Sequence, residues 1–213
     1  MSLFSDIVSG SEGVYTLTNR PDLVAETALA VRQATLAAHR SDYFRRDIQE
    51  LLISPGSANL FQLSISSLFA NWRNFAYIRP YDSVGAAPAS FFLESMKPDA
   101  ILDDYLIEKT NVYYVAGDNL NIRLGANYDS FLVGYYSNPV LTPDASYESW
   151  IARQQPALIV IDAAKRIFET IGYIEAANKL SVLLYGPPPG TAQMPTGGEY
   201  LSLKMSEVED QGR

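Results

Sequence analysis

The 213-residue sequence contains no cysteine and a single histidine, His39. Without thiols there can be no disulfide and no thiolate metal site. With one imidazole there is no second His for a metal pair or a proton relay. An excess of positive charge is missing too: 24 Asp and Glu outnumber 16 Lys and Arg, for a net charge of −8. That balance argues against tight nucleic-acid binding, whose affinity comes largely from cations on phosphates. Long apolar runs are lacking as well. The longest, residues 157–161, is far short of a membrane span. The opening Met1-Ser2-Leu3-Phe4-Ser5-Asp6 has no basic region followed by a long apolar stretch, so no signal peptide is read. These features fit an acidic protein of a reducing cytoplasm.

What is present is an ordinary share of core-forming residues, 47% hydrophobic and 19% charged, enough for a real core. Two helix-patterned arms bracket a tyrosine-rich, β-patterned middle. Val14 to Thr18 alternates like a short strand or a docked arm. Thr18-Asn19-Arg20-Pro21-Asp22 reads as a helix start, with a polar cap, a proline and an early acid. Val24, Ala28, Val31, Thr35 and Ala38 then form an Ala-rich stripe at helical spacing. Tyr43, Phe44, Ile48, Leu51 and Leu52 extend the helical pattern, so the first arm is expected to stay helical to Ile53.

Ser54 to Ser57 breaks that arm. Strand signals follow at Phe61 to Ile65, at Trp72 to Tyr81 with a halt at Pro80, and at about 111–116, 120–124 and 130–137. Lys97-Pro98-Asp99-Ala100 reads as a turn, and Gly117-Asp118-Asn119 supplies a hairpin turn. The second arm runs from Ser149 to Tyr185, with Pro156 near its start and Gly172 dividing it into two helices. Gly186 to Gly190 stops it. The expected organisation is α+β: an N-terminal arm and helix over 1–53, a β lobe over 54–148, helices over 149–185 completing a bundle, and an extended tail over 186–213.

Catalytic patterns are thin. Asp99, Asp103, Asp104 and Glu108 cluster, and Asp99 and Asp103 would share a helix face; a carboxylate-only hydrolase would need such a pair, but a solvated turn is the favoured reading. No phosphate cradle or Gly-x-Ser-x-Gly elbow is found. Arg45, Arg46 and Arg79 offer cations for phosphate, though ion pairs with Asp42, Asp47 and Glu50 at helical spacings are favoured for the first two. No catalytic, cofactor-binding or metal residue is assigned. The 14 tyrosines are the compositional excess. They suit either a contact surface or a β lobe that simply favours aromatics. Candidate partner contacts are Tyr113, Tyr114, Tyr135 and Tyr136 in the middle, and Tyr200, Leu201, Leu203 and Met205 in the tail. The tail reads as a disordered end or as an arm that orders on a partner, the alternating patch favouring the arm.

The order of these pieces resembles the head-to-tail adaptor (connector, or head-completion) proteins of tailed bacteriophages. Val14-Tyr15 to Val24 leads into an Ala-rich helix ending at His39 to Asp47. Tyr113 to Leu120 precedes a strand and Gly134-Tyr135-Tyr136-Ser137-Asn138-Pro139. Ser149-Trp150-Ile151-Ala152 and Pro156 precede Ile161 to Gly172. The resemblance spans most of residues 14–185, and no motif in it is a catalytic signature. It implies a non-enzymatic virion protein of the head-tail junction, assembled in the host cytoplasm. It also implies a self-associated ring, commonly a dodecamer, docked on the portal protein, meeting a tail or nozzle protein and continuing the DNA channel without gripping DNA. No cofactor and no membrane are implied. Two other readings stand beside it: a tail-associated carbohydrate-binding or other interaction module that uses tyrosine faces, and the carboxylate-only hydrolase.

Overall fold

The computed structural model describes residues 2–82, 87–100, 109–143, 146–186, 198–200 and 202–204. The protein is α+β. Its chain divides into two compact units, one made of residues 1–46 with 139–213 and the other of residues 47–138.

The first unit is helical. Helix α1 (Leu3–Ser9) is capped by Ser2, whose hydroxyl accepts from the Ser5 N–H at 3.3 Å. Residues 14–18, expected as a strand, form the helix α2 (Val14–Thr18) instead. Five residues that alternate in polarity also place positions 14 and 18 on one helix face, and both are buried. The Thr18 hydroxyl donates to the Val14 carbonyl at 2.8 Å, and Asn19 ends the turn in the left-handed region at φ 53°. Helix α3 (Val24–Arg40) begins slightly later than its signals suggest. Asp22 does not cap it but pairs with Arg20 at 2.8 Å. Thr27, Ala30, Val31, Ala34, Thr35, Ala38 and His39 form its buried face, whereas Val24 is 63% exposed.

In the second arm, α5 (Trp150–Gln154) is capped by Ser149, α6 (Pro156–Thr170) has proline in its first turn, and α7 (Ile174–Tyr185) follows Gly172. Gly172 and Gly186 adopt φ of +82° and +83°, conformations that residues with a Cβ avoid. The break and the stop thus fall where the glycines predict them. Helix α6 is central, with α3 and α7 its main neighbours. Val31, Ala34 and Ala38 of α3 share one core with Leu158, Ile159, Ala163, Ala164 and Ile167 of α6 and Leu184 of α7. The alanines leave room for close helix approach.

Among the described residues, the second unit holds two four-stranded sheets. One has the order β1 (Ile48–Ile53), β8 (Ser130–Ser137), β3 (Trp72–Asp82), β4 (Ala87–Pro88); the other has β2 (Ala58–Ser64), β7 (Asn119–Tyr128), β6 (Val112–Ala116), β5 (Glu94–Ser95). All pairs are antiparallel except β5 with β6. Both sheets contribute to one core that includes Ile78, Leu120, Ile122, Phe131 and Val133.

Three expectations are corrected here. The helical arm does not reach Ile53: it ends at Arg40, and 48–53 pairs as β1 along β8, from Ile48 opposite Tyr136 to Ile53 opposite Phe131. The spacing of Ile48, Leu51 and Leu52 mimics a helix, but cross-strand pairing overrides so short a pattern. Strand β3 does not halt at Pro80 but runs to Asp82, and the Pro80 carbonyl still accepts from the Ala89 N–H at 2.8 Å. Residues 139–148 fall with the helical unit, because Tyr147 is buried in its core.

The hairpin between β6 and β7 is as predicted. Ala116 faces Asn119, and Gly117, at φ +62°, takes the first position of a two-residue loop, where glycine is favoured. Asp118 accepts from the Ser66 hydroxyl at 2.7 Å, the Ser64 hydroxyl at 2.9 Å and the Ser66 N–H at 3.0 Å, which pins the short helix α4 (Ile65–Leu68) to the turn. Those donors hold its carboxyl below the usual range.

Candidate functional site

Tyrosine faces were expected to meet partners, and the structure sorts them by strand alternation. Tyr113 and Tyr135 are 7% and 4% exposed and belong to the core of the strand unit, so neither is a surface contact. Their rings meet Phe75 at 6.0 Å and Phe69 at 5.1 Å, edge to face. The Tyr135 hydroxyl donates to Gln49 Oε1 at 2.9 Å, and burial pushes its pKa up. Tyr114 and Tyr136, one position on in each strand, are half-buried. Adjacent strand residues point to opposite faces, so a Tyr-Tyr pair cannot present both rings on one side.

The tail residues are placed differently from an extended arm. Leu201 and Met205 lie outside the described residues. Among the described ones, 199–200 and 202–204 are helical and lie against the helical unit. Leu203 is fully buried in that unit's core. Tyr200 is half-buried, and its ring stacks on Tyr185 with centroids 5.3 Å apart and planes 2° from parallel. Its hydroxyl donates to Asp162 Oδ2 at 3.4 Å, and burial, with the Asp162 charge beside it, raises its pKa. Lys204 pairs with Asp42 at 3.3 Å. Gly198 is forced by close packing: a Cβ there would lie 2.3 Å from the Leu184 carbonyl oxygen. The alternation Tyr200, Leu201, Leu203 suggested a strand-like arm, but a buried leucine on the chain's own helices competes with extension.

Asp162 is the group that sequence reading missed. It sits in the middle of α6, 1% exposed, and accepts from Arg166 Nη2 at 3.2 Å one turn on. Its other oxygen, Oδ1, and Arg166 Nε have no hydrogen-bond partner among the described residues. An acid inside an otherwise apolar stripe was its visible signal.

The only histidine is buried, 3% exposed, with Nε2 2.9 Å from Ser149 Oγ. A Ser–His contact has the geometry of an activated nucleophile. Here, however, Ser149 is 2% exposed, and its oxygen accepts the Ala152 N–H as the cap of α5. The imidazole also lies edge-on to Trp150 at 5.9 Å. This is a packed capping cluster. Beside it, Thr35 donates its hydroxyl to the Val31 carbonyl at 2.8 Å, which leaves Tyr147 as donor in the 2.6 Å contact between the two hydroxyls.

Asp99 lies exposed on a single 3₁₀ turn, Pro98–Ala100, while Asp103, Asp104 and Glu108 lie outside the described residues. Arg46 donates to Gln154 and lies over the Trp150 ring at 5.2 Å. Arg79 donates to the Ala89 carbonyl at 2.6 Å and covers Phe92. Among the described residues, no group of three or more His, Asp and Glu could hold a metal ion, and no helix is long and apolar enough to cross a membrane.

The helical unit also carries a cleft of about 860 Å³ between α1, α2, α5 and α6. Ile7, Leu17, Pro156 and Val160 line it, with Asp6 and Glu12 among its polar residues. Apolar side chains remain on the outside of this unit, among them Leu29, Ile174, Leu183 and Tyr185, each more than half exposed. No family model matches the chain, and no curated protein is significantly similar to it.

Proposed function

We propose that this protein is a structural component of tailed-phage virions, a head-to-tail adaptor. In this reading its copies form a ring beneath the portal and continue the DNA channel to the tail, with no catalytic step. The finer architecture proposed with it is a helical bundle, closed by the N- and C-terminal arms, that carries an inserted antiparallel β lobe.

The observation that carries the reading is the joining of two arms separated by about a hundred residues. Helices α3 and α6 pack along an alanine-rich seam and share one core. These helices hold two of the segments on which the resemblance to adaptors rests. The Tyr-Tyr segments between them fall on β6 and β8. Exposed apolar residues on α3 and α7 supply surface that assembly would cover. The net charge of −8 suits a channel wall along which DNA slides.

Electron microscopy of the chain mixed with its cognate portal ring tests this. The expected image is an added ring of density on the tail-facing side of the portal. Portal rings that look unchanged at saturating chain concentration would refute the proposal.

A further inference from the structure

Among the described residues, each sheet of the strand unit has one short and one long outer strand. Strands β4 and β5 end the sheets on one side with two residues each, whereas β1, of 6 residues, and β2, of 7, end them on the other. An outer strand leaves every second N–H and C=O pointing away from its neighbour, ready to pair with another strand. We propose that β2 (Ala58–Ser64) is a strand-pairing surface whose partner is β2 of a second copy, antiparallel and related to the first by a two-fold axis. The proposal does not rest on the adaptor reading. A two-fold pair closes on itself, so it describes the free chain before any ring forms.

The first argument is that β2 lacks the devices that keep an outer strand single. Those devices are brevity, proline, charged side chains, bulges and a covering element. Brevity protects β4 and β5, and β1 carries the charge of Glu50. Strand β2 reads Ala-Asn-Leu-Phe-Gln-Leu-Ser, with neither proline nor charge. Its register against β7 shifts only between Ala58 and Leu60 and is regular from Leu60 to Ser64. No strand or loop other than β7, among the described residues, hydrogen-bonds the main chain of residues 59–63.

Charge selects the partner. Residues 51–72 contain no Asp, Glu, Lys or Arg, the longest such stretch in the sequence. Every copy carries a net charge of −8, so two copies meet at least electrostatic cost where charge is missing. A strongly acidic or basic strand would find no counter-charge on β2 itself. A second β2 meets it without like-charge repulsion. The same comparison sets β1 aside, because self-pairing there would bring two Glu50 side chains close together.

The side-chain pattern agrees. Phe61 and Leu63 pack inward against the core, whereas Leu60, 59% exposed, and Gln62 face outward. Pairing β2 with itself keeps residues of equal parity opposite one another, so Leu60 and Gln62 of both copies share one outer face. Leu60 is then covered by side chains of the second copy. The paired strand of 7 residues is only about 24 Å long, so the contact is small and of the weak, transient kind.

The absence of native cysteine makes a direct test possible. Gln62→Cys is treated with a short bismaleimide over a range of chain concentrations. Opposite and diagonal positions on one face of such a pair lie within about 8 Å, so the two introduced thiols are in reach of each other. The expected product is a covalent dimer whose yield rises with concentration. It should exceed severalfold the yield from Glu94→Cys, a control on the short outer strand β5 of the same sheet. Adding Leu60→Lys to the Gln62→Cys chain should abolish the excess, while circular dichroism and thermal unfolding stay those of the folded protein. That lysine lowers the net negative charge, so a loss of pairing cannot come from greater repulsion between copies. Sedimentation equilibrium of the unaltered chain should show a monomer–dimer equilibrium that Leu60→Lys weakens severalfold. A monomer at every concentration would overturn the proposal, as would cross-linking of Gln62→Cys no better than that of Glu94→Cys. An excess that survives Leu60→Lys would also overturn it, since the contact would then lie elsewhere.

Discussion

Gly134 shows how one residue can fix a neighbourhood. It lies on β8 opposite Glu50 of β1 on one side and Tyr77 of β3 on the other. The Tyr77 ring crosses over it, 2.4 Å from where a Cβ would sit, and its hydroxyl donates to Glu50. Gly134→Ala must push that ring aside, and the expected cost is about 1–3 kcal/mol in denaturant unfolding. In a double-mutant cycle, Tyr77→Ala should remove much of this cost; an unchanged cost would show that the clash lies elsewhere. Tyr147 offers a second test at this scale. Burial pushes its hydroxyl up to about 12 from 10. Its folded-state pKa is the higher one, so its contribution to stability is full below pH 10 and is lost as pH rises toward 12. Tyr147→Phe should cost about 1 kcal/mol at neutral pH through the lost hydrogen bond to Thr35. It should also flatten the fall in stability between pH 10 and 12, read from unfolding curves across that range.

Elements with strong punctuation were legible in the sequence. Pro156, Gly172 and Gly186 bound α6 and α7 because each imposes a backbone state that the chain cannot avoid. Gly172→Ala should therefore destabilise by about 1–2 kcal/mol through conformation alone, since nothing lies within 4 Å of the added methyl. Thermal unfolding would read this as a lower Tm, and an unchanged Tm would contradict the strain argument. The Gly117 hairpin was legible for the same reason. Elements settled by distant pairing were not: β1 carries a helical spacing, and α2 alternates like a strand, yet one pairs with β8 and the other packs into a helical core. Nor did the sequence reveal that Tyr113, Tyr135 and Leu203 are core residues. An aromatic or a leucine in an alternating run looks the same whether its face is covered by a partner or by the chain itself.

For the whole molecule, the α+β class was legible, because apolar period distinguishes helix from sheet over long stretches. The proposed function rests on the order of motifs, since no side-chain constellation in the sequence commits the chain to a reaction. The central claim is assembly, so mass is its most direct readout. Mass photometry of the purified chain, alone and with the cognate portal ring, is the measurement. The account predicts small, weakly associating species alone and a single discrete gain of many chains per portal ring in the mixture. A mixture whose masses are only those of the separate components would contradict it.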